Sequence, residues 1–235
     1  MKILSLNTWH GERIHELKEY LFTHLDTVDI FCFQESNGEN IERILLEICN
    51  IKQFSSVVAT KITDSDRHYS LTTLVKKPLK LMSSQTLLDD NDAATGQALA
   101  TTIVTDTGQV LTVVNVHGVP FVQDDKLDTT GRLHQTEQII TYLSTTGNSP
   151  SVVCGDFNLL PETQSVTKFA SAGYQNLIAD YSIPTTRNKY AWKLHPVKQY
   201  FADYTFASNG IQVTDFAVPT NEVSDHLPMV VTFEH

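Results

Sequence analysis

A chain of 235 residues with 41% hydrophobic content can bury one large core, and this length does not demand two domains. Seventeen basic against 27 acidic residues leave a formal charge of −10. That balance counts against tight, sequence-blind binding of duplex DNA, because neutralising phosphates supplies most of such affinity.

KILSLNT opens as a strand; no small-residue cleavage site follows MKILSLNTWH, so it does not read as a signal peptide. From Glu12 to Leu25, Ile14, Leu17, Leu21 and Leu25 recur at helical spacing and form one apolar stripe. VDIFCFQ is a near-continuous apolar run, as in a strand covered on both faces. Glu39 to Cys49 returns to helix, with Ile41, Ile44, Leu45 and Ile48 on one side. Segments 53–60, 69–76, 79–88, 98–105 and 109–116 are short, rich in Val, Thr, Leu and Ile, and punctuated by turns such as Asp106-Thr107-Gly108. Antiparallel pairing follows. Arg132–Leu143 and Glu162–Ala172 read as helices around the apolar strand SVVCGDF, and 200–206, 211–218 and 228–233 give three last strands. The order predicts mixed sheets packed face to face with helices outside, residues 1–235 forming a single domain. Cys32, Cys49 and Cys154 lie far apart without CxxC spacing, which points to a reducing compartment, the cytoplasm. No run is long enough to cross a bilayer, so no membrane partner is expected.

Polar residues that interrupt apolar strands are informative, because burying them without partners is costly. Asn7 ends the first strand and Glu35 the second; Asn115 and His117 close VVNVHG; Asp156 and Asn158 close VVCGDFN; Asp203 sits in FADYTF; Asp225 and His226 precede the last strand. Side chains two apart share a face, so Asn115 with His117, and Asp156 with Asn158 if extension persists, can point into one cleft. Gly155 would let another backbone approach beside them. Each motif also has a structural reading. GDFN can be a strand-to-loop turn, SDH a helix cap, HGVP a Gly-Pro turn, and Glu35 a cap for the helix after Gly38. Taken jointly, each of those readings needs its own coincidence.

LNTWHG, FQE, NVHG, GDFN, DYTF and SDHLP, in this order across nearly the whole chain, resemble the endonuclease/exonuclease/phosphatase superfamily. The resemblance implies a four-layer α/β/β/α sandwich with its site at one edge of the two sheets, and hydrolysis of phosphate esters with Mg²⁺ or Mn²⁺. It implies Glu35 as principal metal ligand with Asn7 beside it, and Asp225 as a further metal-side carboxylate. Asp156 would orient or deprotonate the attacking water, and Asn158 would donate to a phosphate oxygen. His226 would face the phosphoryl group, kept cationic by Asp203, and His117 would protonate the leaving oxygen or bind phosphate. The pairing is physically sensible, since a carboxylate beside an imidazole favours the imidazolium. Nothing like HExxH or paired CxxC favours zinc.

Two departures matter. Trp9 stands where DNA-repair members usually carry Asp, which places a repair endonuclease in doubt. The register for an acidic partner of His117 lands near Ser70, so that partner is left open.

Residues 181–202 contain Arg187, Lys189, Lys193 and Lys198 and no acid, a local charge of +4, interleaved with Tyr181, Tyr190, Trp192 and Tyr200. Arg187, Lys189, Tyr190, Trp192 and Lys198 are therefore candidate substrate contacts, with Lys126 and Arg132 as further phosphate candidates. The structural reading is an exposed loop of ordinary snorkelling side chains. The expected substrate is a phosphorylated small molecule or single-stranded nucleic acid. A DNA nuclease is the main alternative. A sphingomyelinase is disfavoured because the sequence shows no secretion signal and no apolar hairpin for a membrane surface, and a non-catalytic module should have degraded site positions.

Overall fold

The computed structural model describes residues 1–62, 68–88, 96–119, 126–147, 149–193 and 198–234. Pro120 of the expected HGVP turn and residues 194–197 of the basic segment lie outside the described residues. One half of the chain's order runs β1 (Lys2–Asn7), a 3₁₀ turn (Trp9–Gly11), α1 (Ile14–His24), β2 (Ile30–Gln34), α2 (Glu39–Lys52), β3 (Phe54–Ile62) and β4 (His68–Lys76). It continues through β5 (Lys80–Leu87), β6 (Gln97–Val104), β7 (Val110–His117), α3 (Thr130–Thr145), β8 (Ser151–Asp156) and α4 (Gln164–Ser171). The remainder is β9 (Tyr174–Asn176), α5 (Leu177–Asp180), α6 (Lys189–Lys193), β10 (Asp203–Ser208), β11 (Gln212–Ala217) and β12 (Met229–Glu234).

Two six-stranded sheets result, ordered β11-β12-β1-β2-β4-β3 and β5-β6-β7-β8-β10-β9. Only β1–β2 and β7–β8 pair in parallel; every other named pair is antiparallel. The architecture is the expected α/β/β/α sandwich. Leu4, Leu6, Phe31 and Phe33 turn outward onto Leu17, Leu21, Ile41, Ile44 and Ile48 of α1 and α2. On the other outer face, Phe169 of α4 stacks on Phe206 of β10 at 4.2 Å. The Thr129 hydroxyl caps α3 by accepting from Arg132 N, and the Asp128 carboxylate accepts from Gln164 N and Ser165 N at the start of α4. No helix among the described residues is long and apolar enough to cross a membrane.

Alternation decides what lies between the sheets. Ile3, Ser5 and Asn7 share one face of β1, and Ile30, Cys32 and Gln34 share one face of β2. From the opposing sheet come Val113, Asn115 and His117 of β7, Val152, Cys154 and Asp156 of β8, and Asp203 and Thr205 of β10. The facing is direct: Gln34 Nε2 donates to Asn115 Oδ1 at 2.7 Å, and Thr205 reaches the Met229 sulfur at 3.5 Å. Asn115 was expected at the cleft. It instead stitches the sheets, donating to the carbonyls of Phe33 at 3.1 Å and Thr72 at 3.2 Å. A buried amide with both ends bonded fixes the relative register of two sheets that apolar contacts alone would let slide.

Gly155 is the tightest point. Its φ is +143°, and a Cβ there would stand 2.0 Å from the Val116 carbonyl oxygen across the parallel β7–β8 pair. Gly155→Ala is expected to cost more than about 3 kcal/mol, since neither backbone can retreat. Chemical denaturation checks this; a loss below about 1 kcal/mol would show that the strands can part.

Candidate active site

The parallel pairs end on the same edge of the sandwich. Asn7 is level with Gln34, His117 with Asp156, and Asp203 with Asp156 on its other side. A strand's last inward-facing residue is thereby carried to the rim of the inter-sheet space, where the apolar core stops. The loop before β12 brings Asp225 and His226 to the same rim.

Asp156 is the hub. Its Oδ2 accepts from Asn7 Nδ2 at 3.0 Å and lies 3.5 Å from His226 Nε2 and 3.9 Å from His117 Nε2. Its Oδ1 accepts from Asn158 N at 2.9 Å, and Asn158 takes φ +54°, so extension ends here and the two side chains do not share a strand face. Burial of Asp156 opposes ionisation, but the charges of His226, His117, Lys126 and Arg187 outweigh it and hold the carboxyl at about 2. Asn7 is locked by its neighbours as well: Trp9 N donates to its Oδ1 at 3.0 Å, which leaves Nδ2 to face Asp156.

His226 is buried, with Nδ1 2.9 Å from both oxygens of Asp203. Nδ1–H therefore donates to Asp203, and Nε2 faces Asp156 and, at 3.8 Å, Asp225 Oδ1. Burial and Arg187 work against the imidazolium, yet Asp203, Asp225 and Asp156 together raise the His226 pKa above its ordinary value. Asp203 moves up as well, mainly through burial and despite His226.

Glu35 follows β2 with φ +51°, and its carboxylate stays partly open to solvent. Thr8 holds that turn, its hydroxyl donating to the carbonyls of Gln34 and Glu35. Glu35 is no cap for α2; the Gly38 amide there is met by Glu42. Glu35 Oε1 lies 3.6 Å from His117 Nε2, a buried nitrogen without a hydrogen-bond partner. Carboxylate oxygens from Glu35 and Asp156 beside an unsatisfied imidazole could meet a hard cation, while the Asn7 amide has its oxygen on Trp9 N and its NH₂ on Asp156. Ligand atoms of Asp156, Asp203 and His226 also lie within 4.8 Å of one another and could hold a metal. His226 shares its Nδ1 between both Asp203 oxygens, so within that trio only its Nε2 is left to meet an ion.

Not every candidate sits where expected. Asp225 Oδ2 is taken by Arg187 at 2.9 Å in a buried pair. The Arg187 backbone in turn forms a bridge with His226. Lys126 is buried, its amine 3.4 Å from the Phe201 carbonyl. Burial, then Arg187, pull its pKa down to about 8, against the opposing charges of Asp156, Asp203 and Asp225. Arg132 is fully buried, with its guanidinium on the carbonyls of Leu127 and Val119. That placement spends its guanidinium on backbone carbonyls inside the protein, not on the open rim. Tyr190 reaches the site's rim beside Trp9, and Lys189 pairs with Glu222. Trp192 and Lys198 form a separate group with Tyr200, in which the indole donates to the Gln199 carbonyl.

Two neighbours escaped the sequence reading. His10 Nε2 lies 3.2 Å from Glu35 Oε2, placed there by a turn in which Trp9 and His10 both have positive φ, +49° and +50°. Tyr69 stands edge-on to the His117 ring at 5.5 Å, one residue from the expected partner position Ser70. Ser70 itself points to Thr60, because alternation along β4 sends it to the other face.

The family model of the Endonuclease/Exonuclease/phosphatase family matches residues 4–226. No curated protein matches the chain by sequence. An endonuclease/exonuclease/phosphatase from Bacteroides vulgatus superposes with a TM-score of 0.79 at 16% identity, covering 99% of this chain and 98% of that one. The Bacteroides thetaiotaomicron VPI-5482 mannosyl-6-phosphatase gives 0.73 at 17% identity, with 100% of both chains covered. D. rerio TDP2, complexed with single strand DNA product, gives 0.73 at 15% identity, covering 100% of this chain and 99% of that one. At such identities the superpositions establish a common fold. With the family model spanning almost the whole chain, this protein belongs to the Endonuclease/Exonuclease/phosphatase family, whose members hydrolyse phosphoester bonds.

Proposed function

We propose that the chain is one catalytic domain that hydrolyses phosphate esters with a bound Mg²⁺ or Mn²⁺, acting in the cytoplasm on a phosphorylated small molecule or a single-stranded nucleic acid. The observation that carries this reading is the continuous chain of contacts Asn7–Asp156–His226–Asp203 at the rim, beside Glu35 and the unpartnered His117 nitrogen. Three free thiols accord with a reducing compartment.

Glu35 and Asp156 would hold the cation, and Asn7 would join them only through the lone pair of Oδ1 that Trp9 N leaves free. When bound, the cation supplies neutralisation of phosphate charge and acidifies nucleophilic water. Asp156 orients that water. A carboxylate held at about 2 is a weak base, so its contribution is alignment and fixed charge rather than full proton abstraction. The His226 imidazolium, sustained by Asp203, faces the developing negative charge on the phosphoryl oxygens. Asn158 donates to one of those oxygens, and His117 delivers a proton to the leaving oxygen. Asp225 fixes Arg187, which with Lys126 adds positive potential behind the phosphate. Lys189, Tyr190, Trp192 and Lys198 belong to the outer lip.

Metal-stripped protein should cleave neither p-nitrophenyl phosphate nor bis(p-nitrophenyl) phosphate, and Mg²⁺ or Mn²⁺ should restore cleavage of at least one. Failure of both esters with both ions would overturn the reading. The single-strand DNA product held by D. rerio TDP2 favours a nuclease as the second reading. That reading requires cleavage of single-stranded, plasmid or abasic DNA at low salt.

Lys126 adds a pH signature. Its amine is charged below about 8 and neutral above, so KM for a phosphoester should rise as pH passes that point. Lys126→Arg, which keeps its charge, should remove the rise. An unchanged KM profile in the variant would take Lys126 out of substrate binding.

A further inference from the structure

Two imidazoles bracket the Glu35 carboxylate, one buried and one exposed. Oε1 lies 3.6 Å from the buried His117 Nε2, and Oε2 lies 3.2 Å from Nε2 of the exposed His10. His10 is also held at its other nitrogen, where Nδ1 meets Asn37 Oδ1 at 3.2 Å. An Asn amide can offer Nδ1 an acceptor or, turned over, a donor. Nε2 can therefore keep a hydrogen toward Glu35 in the neutral ring as well as in the charged one. The turn that delivers this ring is strained. Trp9 and His10 take φ of +49° and +50°, a region disfavoured for residues with a Cβ, and Gly11 follows at +76°. Neighbours enforce it: Gly11 N donates to the Thr8 carbonyl at 2.9 Å, the Thr8 hydroxyl donates to the carbonyls of Gln34 and Glu35, and Trp9 N donates to Asn7 Oδ1. Glycine at position 10 would take the same φ without strain, yet the chain carries an imidazole there, and that imidazole faces Glu35.

We propose that His10 is a positioning residue for Glu35: by holding Oε2 it fixes the rotation of the carboxylate and keeps Oε1 turned toward His117, on the side where the cation would be met. This role rests on the metal-dependent hydrolase reading above and adds a residue to it. The Glu35 carboxylate ends a flexible side chain and stays partly open to solvent, so ordering it for an ion costs entropy. A partner that orders the carboxylate beforehand removes part of that cost, and outer partners of this kind strengthen metal binding by about ten- to a hundredfold. The strained turn also carries Trp9 N to Asn7, so one stretch of backbone sets the orientation of two groups at the rim. The competing account makes His10 a pin that fastens this turn to the Asn37 loop. Both accounts use the same contacts, but they assign opposite consequences to removing the ring. A pin that is lost lowers stability and leaves ion binding alone. A clamp that is lost weakens ion binding, and glycine in its place relieves the strained φ.

Isothermal titration of the metal-free protein with Mn²⁺ alone separates these accounts without turnover. His10→Gly should weaken Mn²⁺ binding by about tenfold or more. The melting temperature of the metal-free variant should stay level or rise. His10→Gln places an amide NH₂ about where Nε2 stands and should bring Mn²⁺ affinity back to within about threefold of wild type. Should His10→Gly fail to fold, His10→Asn takes its place with the same expected loss: it accepts positive φ and can keep the contact with Asn37, but is too short to reach Glu35. Mn²⁺ affinity within about twofold of wild type in these shortened variants, or His10→Gln binding as weakly as they do, overturns the clamp. A fall in melting temperature with unchanged affinity identifies the pin. A wild-type protein that binds no Mn²⁺ would remove the metal-dependent reading itself, and the clamp with it.

Discussion

His226→Ala should lower kcat for phosphoester hydrolysis by about 10³-fold or more, with a much smaller change in KM. The imidazole is buried, bonded through Nδ1 to Asp203 and aimed through Nε2 at Asp156, so its cost of burial is offset only by the surrounding carboxylates. A group held at that cost and facing the rim contributes most where negative charge develops, which affects kcat. Asp203→Asn tests the partner. It removes a carboxylate that raises the His226 pKa, so the imidazolium should persist over a narrower range. The sign is definite: loss of an opposing charge lowers the His226 pKa, and activity that depends on the cation should fall away at lower pH than in the wild type. A pH–rate profile with an unmoved alkaline limb would show that His226 acts as a neutral donor. A kcat within tenfold of wild type in His226→Ala would remove it from the chemistry.

Much of this site was legible because strands alternate. Asn7, Asp156 and Asp203 end or begin strands whose other inward residues are apolar or small, and period two alone carries them to the inter-sheet face. The same rule misled for Asn115. Two residues short of the strand end, it is still inside the sandwich and is consumed by Gln34, Phe33 and Thr72. What alternation cannot supply is the course of non-repetitive backbone. His10 reaches Glu35 only through two successive left-handed residues, and neither Trp nor His signals that conformation. Asp225 was expected at the metal, yet a partner 38 positions away takes one of its oxygens. Arg187 was visible as a charge in a basic segment, but not as a buried one. Likewise the short α6 and β9 carry too few residues for a periodic signal. Arg132 follows the same logic from the other side, since a guanidinium on backbone carbonyls answers a local need that composition does not reveal.

Asp156→Asn should abolish measurable turnover and also destabilise the fold by about 3 kcal/mol, because the two losses have one cause. The carboxylate is nearly fully buried and compensates His226, His117, Lys126 and Arg187; neutralising it leaves those groups with one opposing charge fewer. It also accepts from Asn7 Nδ2. An amide at position 156 can keep the bond to Asn158 N through its oxygen, but then turns an NH₂ toward the NH₂ of Asn7, donor against donor. Asn7 cannot simply flip, since its own oxygen is held by Trp9 N. Adding Asn7→Asp to Asp156→Asn reverses the polarity of the pair, restores an acceptor opposite the new donor and returns the missing negative charge a few ångströms away. The double variant should therefore recover most of the lost stability, read by chemical denaturation, while remaining inactive, because the charge no longer lies where Asn158 and His226 converge on the water. Recovery of turnover along with stability would mean that the site needs only the summed charge of positions 7 and 156. Recovery of neither would mean that the bond between them is not what orders this rim.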